Sequence, residues 1–227
     1  VICVRGLISP DLLDKLDAQT ADLIQEERDR HGGRPKRRGN QFFTLFHSAI
    51  FRNVDEESDP SALMRVALWS PVPTFAAAML LNNTATSNTR NDNETLRLIR
   101  DIFLAKDDDA YVCGWHVDDM GFWPATPESP GINAWIALDD MQVTDETGGF
   151  ALAVGSHRAL WRHMAYHHTG ASYNFPKSGY ANASDLFAQR TGATCNLKHV
   201  APHLHRRMEE TARIYPVKRG DVIFHTR

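Results

Sequence analysis

The sequence is poor in cysteine, in excess charge of either sign and in long apolar runs, and each shortage removes a class of protein. The three cysteines, Cys3, Cys113 and Cys195, lie far apart, are odd in number and include no CxxC pair. That argues against a disulfide framework or a zinc ribbon and leads us to expect an intracellular compartment, cytoplasmic or organellar. No run of about 18 apolar residues occurs, so no membrane span is expected. The formal net charge is −3, which calls for neither nucleic acid nor an anionic membrane surface as partner. The opening VICVRGLISP is too short and wrongly flanked for a signal peptide. Internal repeats, low-complexity tracts and interdomain linkers are missing as well.

What remains is a chain of 227 residues, 42% of them hydrophobic, long enough for one generous domain over residues 1–227 with ample core. Val1 to Val4 is β-rich and Gly6 breaks it. Ser9-Pro10 then reads as a helix start, with Leu12, Leu13, Leu16, Leu23 and Ile24 on one apolar face. HGGRPKRRGN at 31–40 reads as an exposed loop, and residues 59–81 as helix, bend at SPVP, then helix. The second half changes character. LRLIRDIFLAK, AYVCGWHVDD, INAWIALDD, GGFALAVGSH and DVIFHTR are short β-prone runs separated by turn clusters. A long insert, from about 158 to 216, interrupts them and includes a partly helical HVAPHLHRRMEETARIY.

One strand ends in chemistry. In YVCGWHVDDM, alternation puts Tyr111, Cys113, Trp115 and Val117 on one face and Val112, Gly114, His116 and Asp118 on the other. A carboxylate beside an imidazole on an inward face needs a partner or a cation. With 11 His and 28 Asp+Glu, about one His-x-Asp pair is expected by chance, so its place at a strand end carries the weight. Such a pair, joined by a second histidine, makes the facial triad of non-haem Fe(II) oxygenases, with three coordination positions left open.

In their order, GWHVDD, NAWIALDD, ETGGFALAVGSHR and KRGDVIFHTR resemble the phytanoyl-CoA dioxygenase family of Fe(II)/2-oxoglutarate oxygenases; GLISPDLLDKL is similar to that family's usual start. The resemblance implies a mainly β fold with flanking helices, a double-stranded β-helix (jelly-roll, cupin-like) barrel with metal between its sheets. It implies Fe(II), 2-oxoglutarate and O2, with hydroxylation of a small-molecule or acyl substrate and release of succinate and CO2. His116 and Asp118 would be iron ligands. Trp135 would line the 2-oxoglutarate pocket, with Ile102 and Lys106 as further pocket residues. Asp119, Met120, Phe122 and Trp123 would face the substrate, and Gly148, Gly149, Gly155, Ser156 and His157 would shape the barrel turn. Because halogenating relatives carry a small residue at the position of Asp118, the carboxylate there favours hydroxylation.

The third ligand departs from the family's register. In similar proteins the histidine follows the Gly-Asp pair by roughly ten residues, whereas His225 comes four after Asp221. Either His225 or a histidine beyond Arg227 fills the place, and the residue pairing with the far carboxylate of 2-oxoglutarate is expected beyond Arg227 too. His199, His203 and His205 read as part of an exposed basic helix, and Asp107, Asp108 and Asp109 as a solvated turn. Two other readings stay open: a barrel of this fold that binds metal or ligand without turnover, and a cupin-type metal-dependent hydrolase or isomerase that also uses His203 and His205.

Overall fold

The structure is a computed structural model that describes residues 1–30, 37–38, 41–47, 61–83, 96–98, 101–106, 115, 131–141, 143, 149–157 and 202–226. Helix α1 (Pro10–Arg30) begins as the sequence implies. The Ser9 carbonyl accepts from the amides of Leu12 (3.1 Å) and Leu13 (3.0 Å). Pro10, which has no amide hydrogen, sits at the first helical position, where none is needed. Leu13, Leu16, Thr20 and Leu23 form the buried stripe at spacings of three and four. The Thr20 hydroxyl is satisfied by donating to the Leu16 carbonyl at 2.8 Å.

The second helical stretch follows the expected helix–bend–helix pattern. Helix α2 (Ala62–Met64) runs into a π-helical turn (Arg65–Trp69), Ser70 is extended, and α3 (Pro71–Asn83) restarts. Its first amides find side-chain acceptors: Ser61 Oγ takes Met64 N at 3.1 Å, and Gln19 Oε1, from α1, takes Leu63 N at 3.0 Å. At the break, Ser70 Oγ accepts from Val72 N and donates to the Val66 carbonyl. By length and composition alone, Ala62–Leu80 would suffice to cross a membrane. Core helices pass the same test, and Val66, Val72 and Ala76 here pack into the main apolar cluster.

The described strands form three antiparallel groups, and no closed barrel is traced among the described residues. In the first, β1 (Ile2–Val4), β8 (Val222–Thr226) and β5 (Ile132–Ile136) lie in that order, joining the first strand to the last. β1 pairs with β8 through Ile2–Phe224, Cys3–Ile223 and Val4–Val222. The second holds β2 (Arg37–Arg38), β3 (Gln41–His47) and β4 (Ile102–Lys106), with His47 opposite Ile102, Leu45 opposite Leu104 and Phe43 opposite Lys106. The expected loop at 31–40 is therefore corrected at Arg37 and Arg38, which pair with Phe42 and Gln41. The third joins β6 (Phe150–Ala153) to β7 (Ala212–Tyr215), just after helix α4 (Pro202–Thr211).

Contacts divide the chain into two compact units. One comprises Val1–Tyr111, Pro130–Met141 and Val217–His225; the other comprises Val112–Ser129, Gln142–Pro216 and Thr226–Arg227. The first has its core between α1, α2, α3 and the β1–β8–β5 sheet, where Ile8, Leu13, Leu16, Val66, Val72, Ala76, Val222 and Phe224 are buried together. In the second, α4 buries Leu204 and Met208 and keeps its charges outward, with His205 Nδ1 at 3.3 Å from Glu209 Oε2 one turn later. Gly149 precedes β6 at φ +79, where a side chain would collide with Ile214 and Val143.

Candidate functional site

The two faces of the β1–β8–β5 sheet are told apart by what packs on them. Val4, Ile132, Ile136, Val222 and Phe224 belong to the helix-covered cluster, and Phe224 stacks on Phe75 of α3 with ring centroids 6.1 Å apart. Alternation sends Cys3, Trp135, Ile223 and His225 to the opposite face. The β5–β8 hydrogen bonds agree. Just beyond the two strands, Ala137 N donates to the Asp221 carbonyl at 3.0 Å and its carbonyl accepts from Gly220 N at 2.8 Å, so Ala137 meets both residues, and Met141 bridges Val217 antiparallel. β5 and β8 are neighbours in this sheet, so alternation puts Trp135 of one and Ile223 and His225 of the other on the same face. Ile223 is fully buried without belonging to the helix cluster, so this second face is covered too, while Trp135 and His225 are half-buried. β4 repeats the arrangement: Phe103 and Ala105 pack with Leu23 of α1, and Ile102 and Leu104 are exposed on the other side.

Asp221, read from sequence only as half of a Gly-Asp pair, is a buried carboxylate at 3% exposure. Its Oδ2 accepts from Arg5 Nη1 at 2.6 Å and from Lys218 N at 2.8 Å, and its Oδ1 accepts from Gly6 N at 2.8 Å. Burial alone would raise its pKa. The Lys218 amide, the Arg5 guanidinium and the Gly6 amide outweigh that, and the carboxyl titrates below its ordinary value. Gly220 beside it takes φ +90, and a β-carbon there would press on Leu13 and the Ile8 carbonyl. Arg219 reaches Asp14 (3.0 Å) and Asp17 (2.6 Å) on α1, and its amide donates to Asp140 at 2.8 Å. The turn at 218–221 thus fastens β1, α1 and the end of β5 to the start of β8. A charged residue just ahead of the apolar run VIF was the one sign of this in the sequence.

The sequence model of the family described as phytanoyl-CoA dioxygenase (PhyH) matches residues 1–227. The chain belongs to the phytanoyl-CoA dioxygenase family. No curated protein and no solved structure matches it.

Of the residues expected to serve a PhyH dioxygenase, the structure brings Trp135 and His225 to one face on adjacent strands. It sets Ile102 on the exposed face of β4 and Lys106 at that strand's end. His116, Asp118, Asp119, Met120, Phe122, Trp123 and Gly148 lie outside the described residues; the neighbouring Trp115 is half-buried. His157 is exposed in the turn after β6, where Gly155 takes φ +82 and Ser156 N donates to the Ala153 carbonyl at 3.1 Å. His203 and His205 lie on α4, and no group of three or more His, Cys, Asp or Glu is poised for a metal among the described residues.

Proposed function

We propose that this PhyH-family chain is a non-haem Fe(II)- and 2-oxoglutarate-dependent dioxygenase that hydroxylates a small-molecule or acyl substrate in a double-stranded β-helix. The carrying observation is the sheet face that holds Trp135 and His225, set apart from the helix-packed face in a chain matched by the family over residues 1–227. A jelly-roll has two such faces per sheet, one for the supporting helices and one for the site. The exposed face of β4, with Ile102, fits the same plan.

The donor chemistry fits iron. His116 offers a neutral imidazole nitrogen, Asp118 a carboxylate oxygen, and a histidine on β8 or its continuation completes a two-histidine, one-carboxylate set. Bound iron, with 2-oxoglutarate and O2, supplies the oxidation that leaves hydroxyl on the substrate and releases succinate and CO2. The protein's own tasks are geometric. Trp135 gives the co-substrate a flat apolar wall, Ile102 and Lys106 extend that pocket, and Asp119, Met120, Phe122 and Trp123 meet the substrate as it excludes water.

Oxygen-dependent succinate release across a panel of acyl and small-metabolite substrates tests this. Release that is stimulated by one substrate class and abolished in His116→Ala and Asp118→Ala is the expected result. Metal-dependent turnover with zinc or manganese and no need for 2-oxoglutarate would favour a cupin-type hydrolase or isomerase instead.

A further inference from the structure

β8 is an unusual strand to keep in register. Val222, Ile223 and Phe224 are 0%, 0% and 1% exposed, so both faces of the strand are covered. A strand with one buried face is held by its alternating pattern, because a one-residue slip would bring every polar side chain inward. Here the three core residues are all apolar, and the pattern reads almost the same after such a slip. Yet the slip would matter: it would exchange Ile223 and His225 with Val222 and Phe224 across the sheet. Packing alone therefore specifies β8 weakly at the strand whose C-terminal end carries the candidate ligand.

We propose that Asp221 is the positioning residue of the site. Its buried carboxylate, held by Arg5 Nη1, Gly6 N and Lys218 N, pins the register in which β8 leaves its turn and so decides which side chains reach the face of Trp135. A buried carboxylate tolerates slip poorly, because moving by one residue against β1 strips it of Arg5 and Gly6 together and leaves a charge inside with only the Lys218 amide of its own turn. Two of the partners cross to the neighbouring strand, since Arg5 and Gly6 follow β1, and the third, Lys218, belongs to the turn that leads into β8. Asp221 thus ties β8 to its neighbour and to its own entry. Register setting by a single buried polar residue is a well-attested use of such groups in other folds. The pin stands on strand geometry alone; its consequence for metal rests on the oxygenase reading.

The ladder supplies its own reporter, since Cys3 lies directly opposite Ile223. Directly opposed residues of an antiparallel pair have Cα atoms about 4.5–5.5 Å apart, within the span of a disulfide. Ile223→Cys should therefore crosslink to Cys3 on mild oxidation, run at alkaline pH because burial pushes the Cys3 thiol up. Val222→Cys and Phe224→Cys should not. Adding Asp221→Asn keeps the shape but removes the charge and turns one of the two accepting oxygens into an NH2 that faces a donor. We expect crosslinking to leave position 223 and rise at 222 or 224, read by peptide mapping, while circular dichroism stays folded. Asp221→Glu should restore part of the original pattern. Arg5→Gln, which alters one largely exposed partner, is the milder variant if Asp221→Asn fails to fold; it should give the same shift to a smaller extent.

A crosslink that stays at 223 in the folded variants would show that packing sets the register and would overturn the proposal. Mn(II) affinity is measured in parallel. A moved crosslink with affinity at least tenfold weaker supports the positioning role. A moved crosslink with unchanged affinity refutes that role. Absence of Mn(II) binding in the parent protein would sink the oxygenase reading and leave the pin intact.

Discussion

Replacing Asp118 by alanine removes one of three protein ligands from the proposed iron site. Groups that merely orient a ligand cost about 10–100-fold when lost, so a ligand itself should cost more. Asp118→Ala should lower succinate-coupled hydroxylation by more than about 100-fold with the fold unchanged; full turnover at full iron occupancy would remove Asp118 from the site. Trp135→Ala should weaken 2-oxoglutarate binding by about tenfold, or about 1.4 kcal/mol, and leave the thermal transition near its original place. Asp221 answers to a different variable. Its folded-state pKa is lowered, so its stabilisation is present above the ordinary carboxylate value and is lost as pH falls through the folded one. Urea titrations should show Asp221→Asn less stable by about 1–3 kcal/mol above about pH 5. That gap should begin to narrow below about pH 4 and close only as pH falls through the lowered folded-state value. A gap that persists undiminished in acid would mean that shape, not charge, makes the contribution.

At the scale of elements, legibility followed the reach of the signal. Helix α1 was readable because Ser9, Pro10 and a leucine stripe are local cues, and the helix–bend–helix of 62–83 because Ser70-Pro71 can be read as a break. Strands β4, β5, β6 and β8 were visible as apolar runs. β3 and β7 were not recognised: β7 (ARIY) follows α4 without a turn residue, and what makes it a strand is β6 across from it, a pairing that no local pattern encodes. Nor did the sequence say that β1 lies beside β8, because that contact spans nearly the whole chain. Gly220 is the test at this scale. Its φ of +90 and its approach to the Ile8 carbonyl mean that Gly220→Ala should cost at least about 1–2 kcal/mol for backbone conformation alone. Thermal unfolding would measure it, and a neutral result would show that the 218–221 turn is not the fastening described here.

On the scale of the whole molecule, the family was legible before any coordinate was. Four short segments in a fixed order carried it, and the family match covers residues 1–227. The site was legible only in part. Spacing marked His116 and Asp118 as a pair, whereas the face shared by Trp135 and His225 and the burial of Asp221 depend on long-range contacts that no local pattern encodes. In the proposed enzyme, metal and 2-oxoglutarate share one site. The direct measurement is anaerobic calorimetric titration of 2-oxoglutarate into the protein with Mn(II) present, and again after treatment with EDTA. Chelation through the metal predicts binding in the first case and its loss, by at least about 100-fold, in the second. Equal affinity with and without metal would contradict it.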